Sequence, residues 1–269
     1  MNPLFLSLLL SVGPGAHAGP LAGKTAIVTG TSSGIGRELA REAARRGMKL
    51  ALVDIRPEGS RALAKELGGE TIVIEADLAK PEDRERVVAE TRARFKTIDA
   101  LFNNAGYGYM ATVEEFELDA AKRQFEVNFW AYVDLARRVY PEMAKRKSGT
   151  IVSVASLMGL IDGFERTAMY SASKHALVGW GRTVAPEFRR AGINFKVVCP
   201  TGVKTQFFEH LEGKGAKSVR DRIGDASEDF DDPARIAGDV FSSLDADGVF
   251  VFPGSAPEVM PEGLAALYP

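Results

Sequence analysis

The sequence has almost no cysteine: Cys199 is the single one among 269 residues. One thiol cannot form an intrachain disulfide, so the chain must rely on its apolar core and suits a reducing compartment. Uninterrupted apolar runs of about 18 residues or more are also missing, which argues against a membrane-spanning helix. Charge of one sign does not dominate either, because 34 basic residues face 36 acidic ones. This balance argues against nucleic acid as a partner.

The first 20 residues differ from the rest of the chain and are interpreted as an N-terminal extension, 1–20. They contain an apolar run, 4–12, and then Ala16-His17-Ala18, which resembles a signal-peptide cleavage site. However, no Lys or Arg precedes the run, so the positive segment of a signal peptide is missing. We expect a cytoplasmic protein whose extension is dispensable for folding. Export, membrane association and an over-long translation start stay open as alternatives.

Residues 21–269 have the length and pattern of a single α/β domain. Short apolar runs alternate with segments of helical periodicity, which predicts repeated βαβ units and a parallel sheet. Strands are predicted at 25–28, 49–53, 71–74, 100–102, 150–155, 194–199 and 249–252. Helices are predicted at 34–46, 58–67, 81–95, 120–145 and 233–244, and another begins at 169 and should end or kink at Pro186. Residues 206–232 are irregular and charged, and we expect a mobile substrate loop there.

The most informative stretch is 29–36, TGTSSGIG, which joins the first predicted strand to the first predicted helix. Such a turn presents free backbone N–H groups at a helix N-terminus, where the helix dipole also favours a pyrophosphate. Gly30 would allow the tight turn, Gly34 the approach of the phosphates, and Gly36 close packing of the helix on the strand. The alternative is a strand-to-helix turn that binds nothing.

An acidic residue, Asp54, ends the second predicted strand, 18 residues after Gly36. A dinucleotide-binding unit places a carboxylate there to accept hydrogen bonds from the adenosine ribose. The alternative is a solvated Asp at a strand end. A carboxylate would repel a ribose phosphate, which favours NAD(H), but the nearby Arg37 and Arg56 keep NADP(H) open.

Polar residues recur where later strands end. The segment 103–106, Asn-Asn-Ala-Gly, follows the fourth predicted strand and Ser156 the fifth, and the carboxyl ends of parallel strands border the crevice where ligands bind. Asn128 interrupts an otherwise apolar helix, where an Asn is mildly unfavourable and ordinarily faces solvent. Tyr170 and Lys174 are four residues apart, which puts both on one helix face. Taken alone, such a pair is ordinarily structural.

These motifs occur together, in the order and approximate spacing of one family. From about Leu21 to Phe252 the chain resembles a classical short-chain dehydrogenase/reductase. The resemblance implies a Rossmann-type, doubly wound, predominantly parallel α/β sheet of seven strands with helices on both faces. It also implies an oxidoreductase that uses a nicotinamide cofactor and no metal. Its partners would be a small-molecule substrate and further copies of the chain, in a homodimer or homotetramer.

The resemblance assigns roles to residues at the matching positions. The catalytic tetrad would be Asn128, Ser156, Tyr170 and Lys174. The cofactor would contact Gly30, Ser32, Ser33, Gly34, Ile35, Gly36, Asp54, Asp77, Leu78, Asn104, Ala105, Gly106, Tyr170, Lys174, Pro200, Val203 and Thr205. Tyr170 would be the general acid/base, and the Lys174 ammonium and the oxidised nicotinamide would lower its pKa. Ser156 would hydrogen-bond the substrate oxygen, and Asn128 would hold a water between Lys174 and solvent.

The chain departs from the family pattern at three places. Thr201 replaces the usual glycine after Pro200, Tyr170 follows Ser156 by 14 residues, one more than usual, and 252–254 read Phe-Pro-Gly. A moderately apolar alcohol or ketone is expected from the residues near the presumed pocket, which are Tyr107, Tyr109, Met110, Leu157, Met158, Phe207 and Phe208. The alternatives are a catalytically silent nicotinamide-binding regulator, and a lyase or epimerase on the same scaffold.

Overall fold

The computed structural model describes residues 21–261, 263, 264 and 268, so the expectations for the extension 1–20 lie outside the described residues. The strands are β1 (Thr25–Thr29), β2 (Lys49–Asp54), β3 (Thr71–Glu75), β4 (Ala100–Asn103), β5 (Gly149–Val154), β6 (Ile193–Val198) and β7 (Phe250–Val251). Within the described chain they form one seven-stranded sheet in the order β3-β2-β1-β4-β5-β6-β7. Every neighbouring pair is parallel. The predicted doubly wound parallel sheet is confirmed.

Helices cover both faces of this sheet. They are α1 (Gly34–Arg45), α2 (Pro57–Leu67), α3 (Pro81–Phe95), α4 (Leu118–Phe125), α5 (Ala131–Arg146), α6 (Ala168–Arg190), α7 (Ala216–Ile223), α8 (Pro233–Ser242) and α9 (Ala256–Val259). Short 3-10 turns lie at Leu157–Gly159 and Gly224–Asp229. Among the described helices, none combines the length and the apolar character needed to cross a membrane.

Two apolar cores lie on opposite faces of the sheet, because successive strand residues point to opposite sides. In β1, Ile27 belongs to one core, whereas Ala26 and Val28 belong to the other. Residues of α3, α5 and α6 complete the first core, and residues of α1, α2 and α8 complete the second. Since both faces are covered, the strands are nearly continuous apolar runs in the sequence.

The predicted helix 120–145 is interrupted by a π-helical turn at Glu126–Trp130. Asn128 lies in this turn and is fully buried, so the expectation that a mid-helix Asn faces solvent is wrong here. A π turn inserts an extra residue into the helical repeat, and such turns are frequent at functional sites. This insertion could not be recognised from the apolar periodicity.

Pro186 does not end α6, which continues to Arg190. A proline removes one helical N–H donor, but the chain beyond it is anchored in the first core. Phe188 is buried, and its ring lies 4.9 Å from the ring of Phe195 on β6. Tertiary packing therefore outweighs the local effect of the proline.

The segment 206–232 is more regular than predicted, because it contains α7 and the 3-10 turn Gly224–Asp229. Ala216 and Val219 of α7 are buried, whereas Lys217 and Asp221 are exposed and form an ion pair. The four charged residues of α7 are exposed, and together with the other charges of the segment they hid its short apolar stripe in the sequence. The mobility of the segment stays a prediction.

Candidate active site

A cavity of about 880 Å³ lies at the carboxyl edge of the sheet, where a doubly wound fold binds its ligands. Most of the predicted site residues line it, namely Gly30, Ser33, Gly34, Ile35, Asp54, Asp77, Leu78, Asn104, Ala105, Gly106, Ser156, Tyr170, Lys174, Pro200, Val203 and Thr205. Three predicted residues, Ser32, Gly36 and Asn128, are not part of its wall. In the described part of the chain, no three His, Cys, Asp or Glu side chains are grouped so that they could hold a metal ion.

The glycine-rich turn forms a cradle without side chains at the start of α1. Gly30 and Gly34 have φ angles of 72° and 57°, which residues with a Cβ rarely adopt. A Cβ on Gly36 would overlap the carbonyl oxygen of Gly30, and one on Gly34 would lie only 2.7 Å from Cγ2 of Thr205. The side chain of Ser33 does not cap α1, so the first N–H groups of the helix stay available as donors. A pyrophosphate fits such a cradle.

Asp54 is held at the end of β2 by two backbone donors. Its Oδ2 accepts from the Ser32 N–H and its Oδ1 from the Arg56 N–H, both at 2.9 Å. The Ser32 hydroxyl donates to the carbonyl oxygen of Arg56 at 2.5 Å. Ser32 therefore orients Asp54 from behind the cavity wall, and the carboxylate is fixed before any ligand arrives.

The two arginines that kept NADP(H) open in the sequence differ in position. Arg37 is turned towards Glu66, with 3.5 Å between their charged atoms, and does not line the cavity. Arg56 does line it, and its Nη1 lies 3.1 Å from Nδ1 of His210. His210 belongs to the segment 206–232, so this contact connects that segment to the β2 side of the cavity. No motif in the sequence pointed to His210.

Two arginines shape the cavity wall around Asp77 and Leu78. Arg123 lines the cavity and donates to both carboxylate oxygens of Asp77, at 3.2 and 3.1 Å. The buried Arg84 donates to the carbonyl oxygen of Leu78 at 2.7 Å. Neither arginine was predicted as a site residue from the sequence. Arg84 lies in α3 and Arg123 in α4, and a charged residue in such a helix is ordinarily expected to face solvent.

The chain after β4 is tied to β1 by Thr29. The Thr29 hydroxyl oxygen accepts from the N–H groups of Asn104 and Ala105 at 2.9 and 3.0 Å. The Asn104 amide in turn donates to the carbonyl oxygen of Thr29 at 2.9 Å. Asn104 thus uses its side chain to hold the segment 104–106 along the cavity wall.

Ser156, Tyr170 and Lys174 meet in the cavity wall and are all buried. Oγ of Ser156 accepts from the Met158 N–H at 3.2 Å, which fixes its position, and the Ser156 hydroxyl is close enough to Tyr170 to lower the pKa of its phenol. Lys174 donates from Nζ to the carbonyl oxygen of Val154 at 2.9 Å. The strand end of β5 and the first turns of α6 bring these groups together.

Burial moves the pKa values of this group towards the neutral forms. It raises the pKa of Tyr170 to about 12, although the Ser156 hydroxyl acts in the opposite direction. It lowers the pKa of Lys174 to about 8 and raises that of the neighbouring Cys199 to about 12. For the chain by itself the direction for Tyr170 is opposite to the lowering expected with the Lys174 ammonium and the oxidised nicotinamide, because desolvation penalises the phenolate more than the Ser156 hydroxyl favours it.

Asn128 acts from behind the cavity wall. Its Oδ1 accepts from the Tyr107 N–H at 3.1 Å, and its Nδ2 donates to the Tyr107 carbonyl oxygen at 3.0 Å and to Oγ of Ser173 at 3.2 Å. Its amide therefore joins the π turn to the segment after β4 and to α6. Both polar groups of the side chain are engaged by the protein, so a positional role fits it better than the expected water-holding role.

One part of the cavity is apolar. The apolar residues that line this part pack with Tyr170 in one cluster. They are Met110, Met158, Phe164, Phe207, Phe208, Leu211, Val219 and Ile223. The Tyr170 ring lies 5.5 Å from that of Phe207. Tyr109, predicted for the pocket, belongs to a separate cluster, and its hydroxyl accepts from the Glu117 N–H at 2.7 Å. Its neighbour Met110 faces the cavity, and Tyr109 packs elsewhere.

Comparison with known proteins places this geometry in a family. The family model described as short chain dehydrogenase matches residues 24–214. Oxidoreductase UcpA of Salmonella typhimurium is 34% identical over 196 residues, which are 72% of this chain and 74% of the relative. An uncharacterized oxidoreductase of Thermotoga maritima is 38% identical over 181 residues, which are 66% of this chain and 71% of the relative.

Solved structures share the same architecture. A short chain dehydrogenase/reductase from Burkholderia phymatum in complex with NAD has a TM-score of 0.79 at 25% identity, covering 86% of this chain and 89% of its own. A short-chain dehydrogenase from Sphingobium yanoikuyae in complex with NADPH has a TM-score of 0.76 at 26% identity, covering 91% and 90%. The sequence and the fold agree with these relatives, and the chain belongs to the short-chain dehydrogenase family.

Proposed function

We propose that the protein transfers a hydride between NAD(H) and a moderately apolar alcohol or ketone, with Tyr170 as general acid/base. One observation carries this proposal: Ser156, Tyr170 and Lys174 line a cavity that is also lined by Gly30 and Gly34 of the glycine cradle. Two similar structures, one in complex with NAD and one with NADPH, support the class of cofactor.

The residues of the chain fit a dinucleotide. The glycine cradle would hold the pyrophosphate, because Gly30 and Gly34 line the cavity at the start of α1 without side chains. The oriented carboxylate of Asp54 would accept hydrogen bonds from the adenosine ribose. The adenine would be bordered by Asp77 and Leu78, and the nicotinamide half by Asn104, Ala105, Gly106, Pro200, Val203 and Thr205. When bound, the nicotinamide supplies or accepts the hydride.

Tyr170 and Ser156 would handle the proton and the developing charge. In reduction, Tyr170 would donate its phenol proton to the substrate oxygen, and Ser156 would donate a hydrogen bond to the same atom. A pKa of about 12 keeps the phenol protonated at neutral pH, which suits an acid. In oxidation the phenolate must form, and the Lys174 ammonium and a positively charged nicotinamide would both favour it.

The apolar cluster supports a moderately apolar substrate. A carbonyl oxygen at Tyr170 would leave the rest of the molecule against Met110, Phe207 and Leu211. Burying such a surface contributes about 25 cal/mol per Å² of apolar area removed from water. A sugar acid or polyol would lose its hydration there and meet few polar groups in return.

We further propose a homodimer or homotetramer that works in the cytoplasm, where nicotinamide cofactors are available. Membership of the family and the exposed apolar side chains of Leu118 and Trp130 support an assembly. Sedimentation velocity measures the oligomeric state, and a monomer at micromolar concentration would overturn it. Fractionation of the source cells tests the location.

The decisive experiment is a panel of alcohols and ketones with NAD(H) and NADP(H), followed at the nicotinamide absorbance band and by product analysis. We expect cofactor turnover in step with conversion of apolar alcohols or ketones. A product formed with no net cofactor change would point to a lyase or epimerase. Cofactor binding without conversion of any compound would point to a silent binding protein, and faster turnover of polyols or sugar acids would overturn the substrate class.

A further inference from the structure

Two departures from the family pattern, Thr201 after β6 and the Phe-Pro-Gly at 252–254 after β7, meet at one buried carboxylate. Oδ2 of Asp231 accepts from the Thr201 hydroxyl at 3.2 Å. The same atom accepts from the N–H and the hydroxyl of Ser255, both at 2.8 Å. The hydroxyl oxygens of Thr201 and Ser255 also lie 3.0 Å apart. The side chain of Thr201 is therefore built into a network that a glycine could not join.

Asp231 is well suited to hold this network together. It is 6% exposed, and Nη1 of Arg235 lies 3.3 Å from its Oδ1. Burial alone would raise the pKa of the Asp231 carboxyl, but the hydrogen bonds from Ser255 and Thr201 and the charge of Arg235 hold it below its usual value. Gly254 has a φ angle of 64°, and a Cβ there would overlap the carboxylate. The turn after β7 is thus shaped around Asp231.

The backbone of Asp231 grips the turn after β6 as well. Its N–H donates to the Gly202 carbonyl oxygen at 3.0 Å, and its carbonyl oxygen accepts from the Lys204 N–H at 2.9 Å. This turn reaches the cavity through Thr201, Val203 and Thr205. Asp231 is not part of the cavity wall, so its influence on a ligand would pass through the turn.

The far end of the same turn lies against the glycine cradle. Cγ2 of Thr205 would be 2.7 Å from a Cβ placed on Gly34. Asp231 also lies near the end of the segment 206–232. The ring of its neighbour Phe230 lies 5.4 Å from the ring of Phe208, which is near the start of that segment. One carboxylate thus joins the turn after β6, the turn after β7 and the end of the segment that covers the cavity.

We propose that Asp231 is a positioning residue for cofactor binding: it fixes the turn 201–205 against the glycine cradle and anchors the end of the segment 206–232. This rests on the proposed function as far as the cofactor is concerned. Loss of the carboxylate would let the turn and the segment sample more positions, and each would have to be ordered again on binding.

Calorimetric titration of NAD(H) tests the proposal on a set of variants of the full chain. Asp231→Ala should raise the cofactor Kd about tenfold, which corresponds to about 1.4 kcal/mol, and should raise the cofactor KM more than it lowers kcat. Thr201→Val, which loses only the hydroxyl, should act in the same direction by about threefold, and Thr201→Ser should restore the native Kd. The matched control is Asp229→Ala, since Asp229 is an exposed neighbour.

Limited proteolysis without cofactor supplies the second readout. Cleavage within 206–232 should be several times faster in Asp231→Ala than in Asp229→Ala. If Asp231 had a purely structural role, Asp231→Ala would have a lower melting temperature. The cofactor Kd would then be unchanged in folded Asp231→Ala, in Thr201→Val and in Thr201→Ser. That result would overturn the proposal. If Asp231→Ala fails to fold, the Thr201 pair decides.

The same measurements separate this inference from the proposed function. A native protein that binds NAD(H) but oxidises no alcohol contradicts the proposed function, while the Kd series still tests Asp231. A native protein that binds neither NAD(H) nor NADP(H) contradicts the cofactor assignment, and equal proteolysis of Asp231→Ala and Asp229→Ala would then reject the anchoring role too.

Discussion

Nζ of Lys174 lies 5.8 Å from the centre of the Tyr170 ring, one helical turn further along α6. Burial moves their pKa values in opposite directions, to about 12 for Tyr170 and about 8 for Lys174. Between those two values the protein by itself favours a neutral phenol beside a neutral amine. The site thus disfavours the phenolate of Tyr170 and the ammonium of Lys174, whereas the proposed reaction needs charge to develop there.

The first prediction concerns the Tyr170 hydroxyl. Tyr170→Phe keeps the ring and its packing on Phe207, so the fold and cofactor binding should survive. Turnover should fall by roughly 10²–10⁴-fold, the usual contribution of a general acid/base. Tyr140→Phe is the matched control, since Tyr140 packs on Phe188 outside the cavity. Near-normal turnover by a folded, cofactor-binding Tyr170→Phe enzyme would remove the assignment.

Much of this fold and site could be predicted from the sequence, because both depend on local patterns at fixed spacing. Gly36 and Lys174 are recognisable since a tight helix–strand contact and an i,i+4 pair are local requirements. The contact between Thr201 and Ser255 joins residues 54 positions apart, and nothing local specifies it. The direction of the Tyr170 pKa change was missed for a related reason: desolvation depends on everything packed around the phenol.

The second prediction concerns the pH dependence of alcohol oxidation. Oxidation needs the phenolate, so the rate should rise with pH and should be lost on the acid side as Tyr170 becomes protonated. The Ser156 hydroxyl lowers the pKa of Tyr170, so Ser156→Ala should move the rising limb to higher pH as well as lower the rate. A Ser156→Ala profile displaced to lower pH would contradict this role.

The third prediction is a gain in stability on loss of Lys174. With a pKa lowered from 10.5 to about 8, the charged lysine costs roughly 3 kcal/mol of folding free energy at about 1.4 kcal/mol per pKa unit. The hydrogen bond to Val154 returns about 1 kcal/mol. Lys174→Met should therefore be inactive yet more stable at pH 7 by roughly 1–2 kcal/mol in urea unfolding without cofactor.

The size of that stability gain changes with pH in a defined window. Below about pH 8 the lysine is charged in both the folded and the unfolded chain, and the full cost is present. Between about 8 and 10.5 the folded protein releases the proton first, so the native chain gains stability and the advantage of Lys174→Met should shrink. Lys145→Met, at an exposed position, is the control. An advantage that widens over this window would contradict the prediction.

The last prediction concerns the choice between NAD(H) and NADP(H), which depends on the fixed orientation of the Asp54 carboxylate. Asp54 is fixed by the N–H groups of Ser32 and Arg56, both at 2.9 Å. A ribose phosphate would meet this charge directly, so catalytic efficiency should favour NAD(H) by about tenfold or more, one decade for each 1.4 kcal/mol or so of repulsion. Asp54→Asn keeps an acceptor oxygen and removes the charge, and should cut that preference by about tenfold. Arg56→Ala is the companion variant, since Arg56 lines the cavity while Arg37 is turned to Glu66. The opposite outcome would be a native enzyme that is equally efficient with both cofactors and an Arg56→Ala variant that loses efficiency only with NADP(H). That outcome would show that Arg56 binds the phosphate and that its charge outweighs that of Asp54.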